Sequence, residues 1–289
     1  MRSIPLVSSV AAIALTLAGC AIIVAPGEDL QFRTAFNKDA VQGDGRVVSE
    51  ERAVESVAQL DMRGPLQVEV KVGEAGALQV EADSNLLPLI RTQVVNGTLR
   101  MWVEGEVRTD HSLRVRWTVP QLSQISTAGS GRLSVSGLKG GPLTLTKSGS
   151  GTSQLSGRVG TLNLQASGSG EIDARDLESG NANLSLAGSG SLRMGKVSAE
   201  SLNVKVRGSG ELQASGAVAR LNANVVGSGD ARLKDLMSDH AELSTTGSGD
   251  ITAQVGQSLI AQTTGSGSIT VYGNPAQRNI SGRHVKVVN

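Results

Sequence analysis

The tripeptide Gly-Ser-Gly occurs eight times between residues 129 and 267 of this 289-residue chain, at intervals of 18–20 residues. A flexible Gly/Ser linker has no such regular spacing, and the residues between its glycines do not alternate in polarity. Repetition at this interval is typical of a solenoid, in which each repeat buries its apolar side only by stacking on the next. The glycines of the tripeptides are Gly129, Gly131, Gly149, Gly151, Gly168, Gly170, Gly188, Gly190, Gly208, Gly210, Gly227, Gly229, Gly247, Gly249, Gly265 and Gly267.

Aligning the repeats on the tripeptide turns the sequence into columns. The first residue after each tripeptide is always polar. The second residue after it is apolar in seven of the eight repeats, Ser153 being the exception. This period of two predicts strands that point apolar residues inward. A tight corner stacked on identical corners leaves no room for a Cβ, which explains the glycines. Residues 121–289 are therefore predicted to form an all-β, single-stranded parallel β-helix (β-solenoid) of about eight Gly-Ser-Gly rungs, each with two short strands and a second, looser turn.

Two polar features of the repeats suggest further bonds along the stack. A column of asparagines lies five residues before the tripeptide in four successive repeats, and in-register asparagines form amide ladders between stacked strands. The corner serines carry hydroxyls that are predicted to bond along their own column or to neighbouring carbonyls. The asparagines are Asn163, Asn183, Asn203 and Asn222.

Residues 53–120 show the same alternation without the tripeptide, for example at 66–72 and 113–119. Asn96-Gly97 between Val94-Val95 and Thr98-Leu99 predicts a two-residue hairpin, because both positions favour φ > 0. An uncovered first rung would present an open sheet edge. We therefore interpret this segment as an N-terminal β layer that caps the solenoid, with a small separate sandwich as the alternative.

The N-terminus predicts export and lipid anchoring. Residues 1–19 have the apolar character of a signal peptide, and they lead into Leu17-Ala18-Gly19-Cys20, which resembles the bacterial lipobox. In such proteins the signal peptide is removed before the cysteine, and the thiol is lipidated. Cys20 is the only cysteine of the chain, so no internal disulfide is expected. An uncleaved membrane-spanning helix and ordinary secretion are the alternatives.

The predicted consequence is attachment to a membrane through acyl chains on Cys20, since several chains give stable anchoring. Ala21 follows the cysteine where an Asp would suggest retention at the inner membrane. We therefore predict a cell-envelope location, at the outer membrane if the organism is Gram-negative. Residues 20–52, polar and without a sustained period, are predicted to be the lipidated cysteine and a flexible tether.

Composition argues against several classes of function. The net charge of +1 gives no reason to expect nucleic acid as a partner, and five aromatic residues are too few for a base-stacking or sugar-stacking surface. The three histidines, His111, His240 and His284, lie in separate segments without metal-ligand spacing. We therefore predict no cofactor, no catalytic residue and no metal, with one cation hypothesis left open.

That hypothesis concerns Glu211, Asp230 and Asp250, which occupy one column on three successive rungs. Stacked carboxylates repel unless a cation or a basic residue compensates them. Their hard oxygen ligands would suit a weak Ca²⁺ or Mg²⁺ site. The alternative is an exposed acidic stripe relieved by nearby arginines, which would be Arg193, Arg207 or Arg232.

Several stretches together resemble a known family. They are residues 80–103, Pro120 before the first tripeptide, the serial repeats and the closing GSGSITVYGNP at 265–275. This combination is similar to the bacterial family of putative auto-transporter adhesins with a head GIN domain, over about residues 54–282. The resemblance implies a β-helical exported domain, often lipid-anchored, with an adhesin role and no known catalytic residues. The chain has more rungs than the commoner members.

The predicted function is a non-enzymatic, lipid-anchored solenoid with a structural or adhesin-like role, whose partners are a surface glycan or an envelope protein. The first alternative is a β-helical enzyme acting on polysaccharide, which would use carboxylates such as Glu171, Asp173 and Asp176. The second is an ice-binding face, although threonine pairs occur on only two rungs.

Overall fold

The computed structural model describes residues 40–74, 76 and 78–289. The predicted signal peptide, the Cys20 lipidation site and most of the predicted tether lie outside these residues. Among the residues that are described, no helix is long and apolar enough to cross a membrane.

The described chain is almost entirely β-structure, with one turn of 3-10 helix at Leu87–Leu89. The strands before the first Gly-Ser-Gly corner are β1 (Val41–Gln42), β2 (Val47–Arg52), β3 (Gln59–Arg63), β4 (Gln67–Val72), β5 (Leu78–Asp83), β6 (Ile90–Val95), β7 (Thr98–Val103), β8 (Val107–Arg108), β9 (Arg114–Val119) and β10 (Gln124–Ala128). The strands after it are β11 (Arg132–Lys139), β12 (Leu143–Ser148), β13 (Thr152–Gly168), β14 (Glu171–Gly188), β15 (Ser191–Gly208), β16 (Glu211–Gly227), β17 (Asp230–Gly247), β18 (Ile251–Gly265), β19 (Ile269–Tyr272), β20 (Gln277–Ser281) and β21 (Val285–Val288).

The repeats form the predicted β-solenoid. Each of β13 to β17 pairs in parallel with the strand one repeat later, so that equivalent residues lie side by side. Leu164, Leu184 and Val204, for example, are consecutive in one buried column. Because aliphatic columns of this kind fill the interior, each turn is stabilised by the apolar surface that it buries against its neighbours.

The second junction of each turn differs from the prediction of two short strands joined by a loose turn. Strands β13–β18 are 15–18 residues long and run through this junction. They bend there by a shift of register, as between Gln154 and Ser156. Gly157 and Gly216 supply φ values of 117° and 125° at these bends. A β-bulge therefore replaces a loop in these rungs, and separate strands remain only in the first rung, as β11 and β12, and in the last, as β19 and β20.

The segment before the repeats extends the same stack. Strands β3 and β4 pair in parallel with β10 and β11, respectively. Gly64 stacks directly below Gly129, so that a Cβ added to Gly129 would lie 3.1 Å from the Gly64 backbone. Strands β7 and β9 pair in parallel with the other edges of β3 and β4, those that face away from β10 and β11. The segment thus contributes two further turns, and the alternative of a separate sandwich is wrong.

Antiparallel strands close this end of the solenoid. Strand β6 pairs with β7 through the predicted Asn96-Gly97 hairpin, whose φ values are 51° and 75°, while β5 pairs with β9. Strand β2 then pairs with β5. The predicted tether is therefore wrong for residues 41–52, which belong to the folded unit. Four of the six side chains of β2 are exposed, on both faces, and only Val48 and Arg52 are half-buried, so its sequence shows no period of two.

The other end of the solenoid is a partial turn. Strand β20 pairs with β18, and β21 pairs with β19, both in parallel. Gly282, with φ of 103°, turns the chain between β20 and β21, as the repeat glycines do at the other corners.

Candidate functional site

The corners are structural elements. The first glycine of every tripeptide has φ between 101° and 121°. A Cβ on the second glycine would meet a backbone oxygen of the preceding turn at no more than 2.7 Å. The bonds between successive corners come from backbone amides of the serine and of the second glycine, as from Ser209 N to the Gly188 oxygen at 2.9 Å, and not from the hydroxyls that the sequence suggested. No side chain can therefore be added at the corners without moving the stack.

The outward-facing residues that precede the corners form one surface, which we call the amide face. Between the first corner and β17 its side chains are mostly amides and hydroxyls. Its central column reads Gln93, Arg100, Asp61, Ser126, Thr146, Gln165, Ser185, Lys205, Asn224, Ser244 and Gln262.

The predicted asparagine ladder lies on this face. Asn183 Nδ2 donates to Asn163 Oδ1 at 2.9 Å, and Asn203 Nδ2 donates to Asn183 Oδ1 at 2.8 Å. Asn222 is next in register. Beside the ladder lies a depression of about 550 Å³ that also contacts Gln165, Ser185, Lys205 and Arg207. The ladder aligns neutral donors and acceptors along the stack.

The outward-facing residues that follow the corners form the opposite surface, which we call the ion-pair face. Arg175 lies 2.6 Å from Asp173 and holds the pKa of that carboxyl below its usual value through a hydrogen bond. Arg193 pairs with Glu171. Toward the N-terminal end, Arg114 and Arg116 both contact Glu69 and Glu81 at 3.0–3.7 Å. Charges on this face are thus largely matched within the molecule.

The carboxylates considered for an enzyme lie on this same face. Glu171 and Asp173 are each paired with an arginine. Asp176 is exposed and directly follows Arg175 in the chain. A general acid or base needs a carboxyl whose pKa is raised toward neutrality, whereas the pKa of Asp173 is lowered. This arrangement is that of surface ion pairs.

The structure stacks Glu211 on Asp230 in register, as the sequence predicted for the acidic stripe. Arg232 lies 3.2 Å from Glu211 and 3.9 Å from Asp230. Asp250 Oδ1 accepts hydrogen bonds from the backbone and the hydroxyl of Ser268 at 2.8 and 2.9 Å. Within the described residues, no three His, Cys, Asp or Glu side chains are grouped as metal ligands. Arg232 therefore compensates Glu211 and Asp230, whereas Asp250 is bound by Ser268.

His111 has a partner that sequence reasoning missed. Its Nδ1 lies 2.8 Å from Oδ1 of Asp83, a carboxylate that is only 1% exposed. Thr109 Oγ1 donates to the other oxygen of Asp83. These bonds fix the segment between β7 and β9 against the end of β5. His240 instead contacts Ser258 Oγ at 2.7 Å on the surface, and His284 lies in the final turn. Because Asp83 and His111 are 28 residues apart, the spacing of residues in the sequence did not indicate that they pair.

Among the described residues, the core contains one buried cation. Lys147 is 3% exposed, and burial without a countercharge lowers the pKa of its ammonium. It stands in an inward column between Thr127 and Ala166, and its Cε lies below Gly170 of the next corner. The hydroxyls of Thr127 and Ser153 are buried near the same corners without a hydrogen-bond partner among the described residues. The first two rungs are therefore less apolar inside than the later ones.

A second missed feature lies at the N-terminal end of the amide face. Trp102 points outward from β7 and is partly exposed, whereas Trp117 is buried. Arg63, Arg100 and Asp61 surround the same depression, which has a volume of about 440 Å³. The low aromatic content predicted no stacking surface, but one indole is enough for a single binding position.

Fold and surface together define a β-solenoid stacked on Gly-Ser-Gly corners, with one face of amides and one of ion pairs. The chain belongs to the family described as putative auto-transporter adhesin, head GIN domain, whose model matches residues 58–195 and 179–275. The sequence-based resemblance is thereby confirmed.

Solved structures share the fold. A protein from Parabacteroides distasonis described as a putative lipid binding protein is 22% identical, with a TM-score of 0.66 over 86% of this chain and 100% of its own. Putative adhesins from Parabacteroides distasonis and Parabacteroides merdae are 21% and 19% identical, with TM-scores of 0.65 and 0.66 over 86% and 87% of this chain and all of theirs. No curated protein matches the chain.

Proposed function

We propose that this protein is a non-enzymatic, lipid-anchored envelope protein that holds surface polymers through its amide face. The observation that carries the proposal is the contrast between the two faces. On the ion-pair face most charges have partners within the molecule, as Asp173 has in Arg175. On the amide face neutral donors and acceptors, such as those of Gln165 and Ser185, repeat from rung to rung about 4.8 Å apart.

A repeating row of this kind suits a repeating, polyhydroxylated polymer. Amides and hydroxyls donate and accept hydrogen bonds, as sugar hydroxyls do. The stack holds the row rigidly, so that little conformational entropy is lost when an extended chain binds along it. The family name and two of the structural neighbours, both described as putative adhesins, agree with a binding role.

Two triple variants test which face binds. Thr146→Ala, Gln165→Ala and Ser185→Ala together remove donors and acceptors from the central column of the amide face. Ser134→Ala, Gln154→Ala and Gln213→Ala remove a similar set from the equivalent column of the ion-pair face. Residues 40–289 of each would be applied to a glycan array and to purified envelope polysaccharide.

We expect the amide-face variant to lose binding and the matched variant to keep it. Equal binding by both variants would contradict the proposal, and release of new reducing ends would support the polysaccharide-acting enzyme instead. Binding to liposomes would be measured in the same experiment, because one structural neighbour is described as a putative lipid binding protein.

Lipid anchoring has its own test. Replacing Cys20 with serine in the full chain should move the protein from the membrane fraction to the soluble fraction, because the acyl chains would have no thiol to attach to. Mass spectrometry of the N-terminal peptide should find the lipid in the parent protein. An unmodified Cys20 in membrane-bound protein would contradict this part of the proposal.

A further inference from the structure

We propose that the depression around Trp102 is a subsite for a carboxylate-bearing sugar, bound by Trp102, Arg63 and Arg100. The inference rests on the proposed function, because it names the class of ligand that one end of the amide face selects. Its evidence is independent of the asparagine ladder, which lies several turns away along the stack.

The position of Trp102 follows from its strand. In β7, Leu99 and Met101 point into the core and are fully buried. Trp102, the residue after Met101, therefore points outward near the end of the strand. Arg91 of β6 lies opposite Trp102, and Gln93 lies opposite Arg100. Arg91 is bound to Glu104 at 2.6 Å. One face of a pyranose ring presents C–H groups, which pack well against the apolar surface of an indole.

The charges beside Trp102 favour an anion. Asp61 has a side chain only 12% exposed, and Arg63 donates to its two oxygens at 3.4 and 3.1 Å. Arg100 Nε lies 3.9 Å from the same carboxylate. Two guanidinium groups thus share one carboxylate, which leaves one positive charge uncompensated.

The two arginines also have donors to spare. Their side chains are 66% and 50% exposed, and each guanidinium carries five N–H groups. Asp61 accepts hydrogen bonds from two of those of Arg63, whereas Arg100 is held only as an ion pair at 3.9 Å. Asp61 orients both groups, and the remaining N–H groups match the two oxygens of a ligand carboxylate. Gln93 adds an amide for a sugar hydroxyl.

The surroundings favour a sugar over a nucleic acid. From Arg100 and Asp61 the central column of the amide face continues through Ser126, Thr146 and Gln165. A glycan whose acidic unit sits on Trp102 would meet hydroxyls and amides along its next units. A nucleic acid would need further aromatic side chains for stacking, and none lies along this column.

The test uses residues 40–289 and three defined oligosaccharides. Trigalacturonate and sialyllactose carry carboxylates from two different acidic sugars, and lactose is the neutral control for sialyllactose. Binding would be measured by calorimetry and by tryptophan fluorescence. Because Trp117 is 3% exposed, a change in emission on binding reports on Trp102.

We expect at least one acidic oligosaccharide to bind at least about tenfold more tightly than lactose, with a change in emission. Trp102→Ala should weaken that binding at least about tenfold. Arg63→Gln should remove the preference for the acidic sugar. Arg132→Gln, which changes an exposed arginine on the ion-pair face, should have no effect. Circular dichroism checks the fold, and Trp102→Phe replaces Trp102→Ala if the alanine variant unfolds.

Undiminished binding by folded Trp102 and Arg63 variants would overturn the proposal. Failure of both acidic oligosaccharides to bind at millimolar concentration would overturn it too. If the parent domain still binds envelope polysaccharide through the central column of the amide face in that case, the proposed function stands and only the subsite is wrong.

Discussion

Gly210 follows Gly190 in the stack with so little clearance that a Cβ on Gly210 would lie 2.7 Å from the Gly190 carbonyl oxygen. It would also lie 2.8 Å from Cδ2 of Leu186 in the core. Gly210→Val should therefore destabilise the domain by more than about 2 kcal/mol, because the backbone of the preceding corner cannot yield locally. Thermal unfolding followed by circular dichroism measures the effect.

The matched control is Gly141→Ala. Gly141 has no atom within 4 Å of the position of an added Cβ and does not have a positive φ. We expect this variant to melt within a few degrees of the parent protein. A Gly210→Val variant that melts normally but no longer binds its ligand would show that the corners recognise ligands.

The asparagine ladder allows a second prediction. Asn183 donates to Asn163 and accepts from Asn203, so Asn183→Ala removes two hydrogen bonds and should lower the free energy of unfolding by about 1 kcal/mol. Asn222→Ala leaves both bonds in place and is the control. Urea denaturation of the two variants should separate them, and equal stabilities would show that the ladder adds nothing.

The sequence predicted the repeating part of the fold because each repeat carries the same local information. Apolar residues such as Leu184 and Val204 recur at one position, and the glycines recur at the corners. The asparagine ladder followed from the same alignment. Stacking converts equal spacing along the chain into contact in space, so a column in the alignment becomes a column in the structure.

Features that join residues without this spacing were not predictable. Strand β2 is held by its backbone against β5, and backbone pairing leaves no pattern in the side chains. Asp83 and His111 meet because two non-repetitive segments pack together. The subsite around Trp102 likewise needs β3, β6 and β7 in their final register. Register between distant strands is set by the whole fold.

Lys147 gives a pH prediction. Its pKa in the folded protein is lowered from 10.5 by burial, so between these two values the unfolded chain binds more protons than the native one. The free energy of unfolding therefore rises as the pH increases through the range between the two pKa values. At pH values below both, the folded protein bears the full cost of burying the charged ammonium. Lys147→Met should stabilise the domain at pH 7 by about 1 kcal/mol or more.

The advantage of Lys147→Met over the parent protein in urea denaturation should shrink as the pH rises from about 7 toward 10.5. Lys139→Met, at an exposed position, is the control for other groups that titrate in this range. A constant advantage across the range would mean that Lys147 stays charged in its buried position.

Asp83 should be the most sensitive polar residue at the capped end. Its carboxylate is 1% exposed and accepts from both Thr109 Oγ1 and His111 Nδ1, which fastens the segment between β7 and β9 to β5. Asp83→Ala leaves both donors without their acceptor and should cost about 1–3 kcal/mol. Limited proteolysis should then cleave first within residues 104–113. Asp110→Asn, an exposed change in the same segment, should leave both the stability and the cleavage pattern unchanged, and equal behaviour of the two variants would show that Asp83 does not hold the segment.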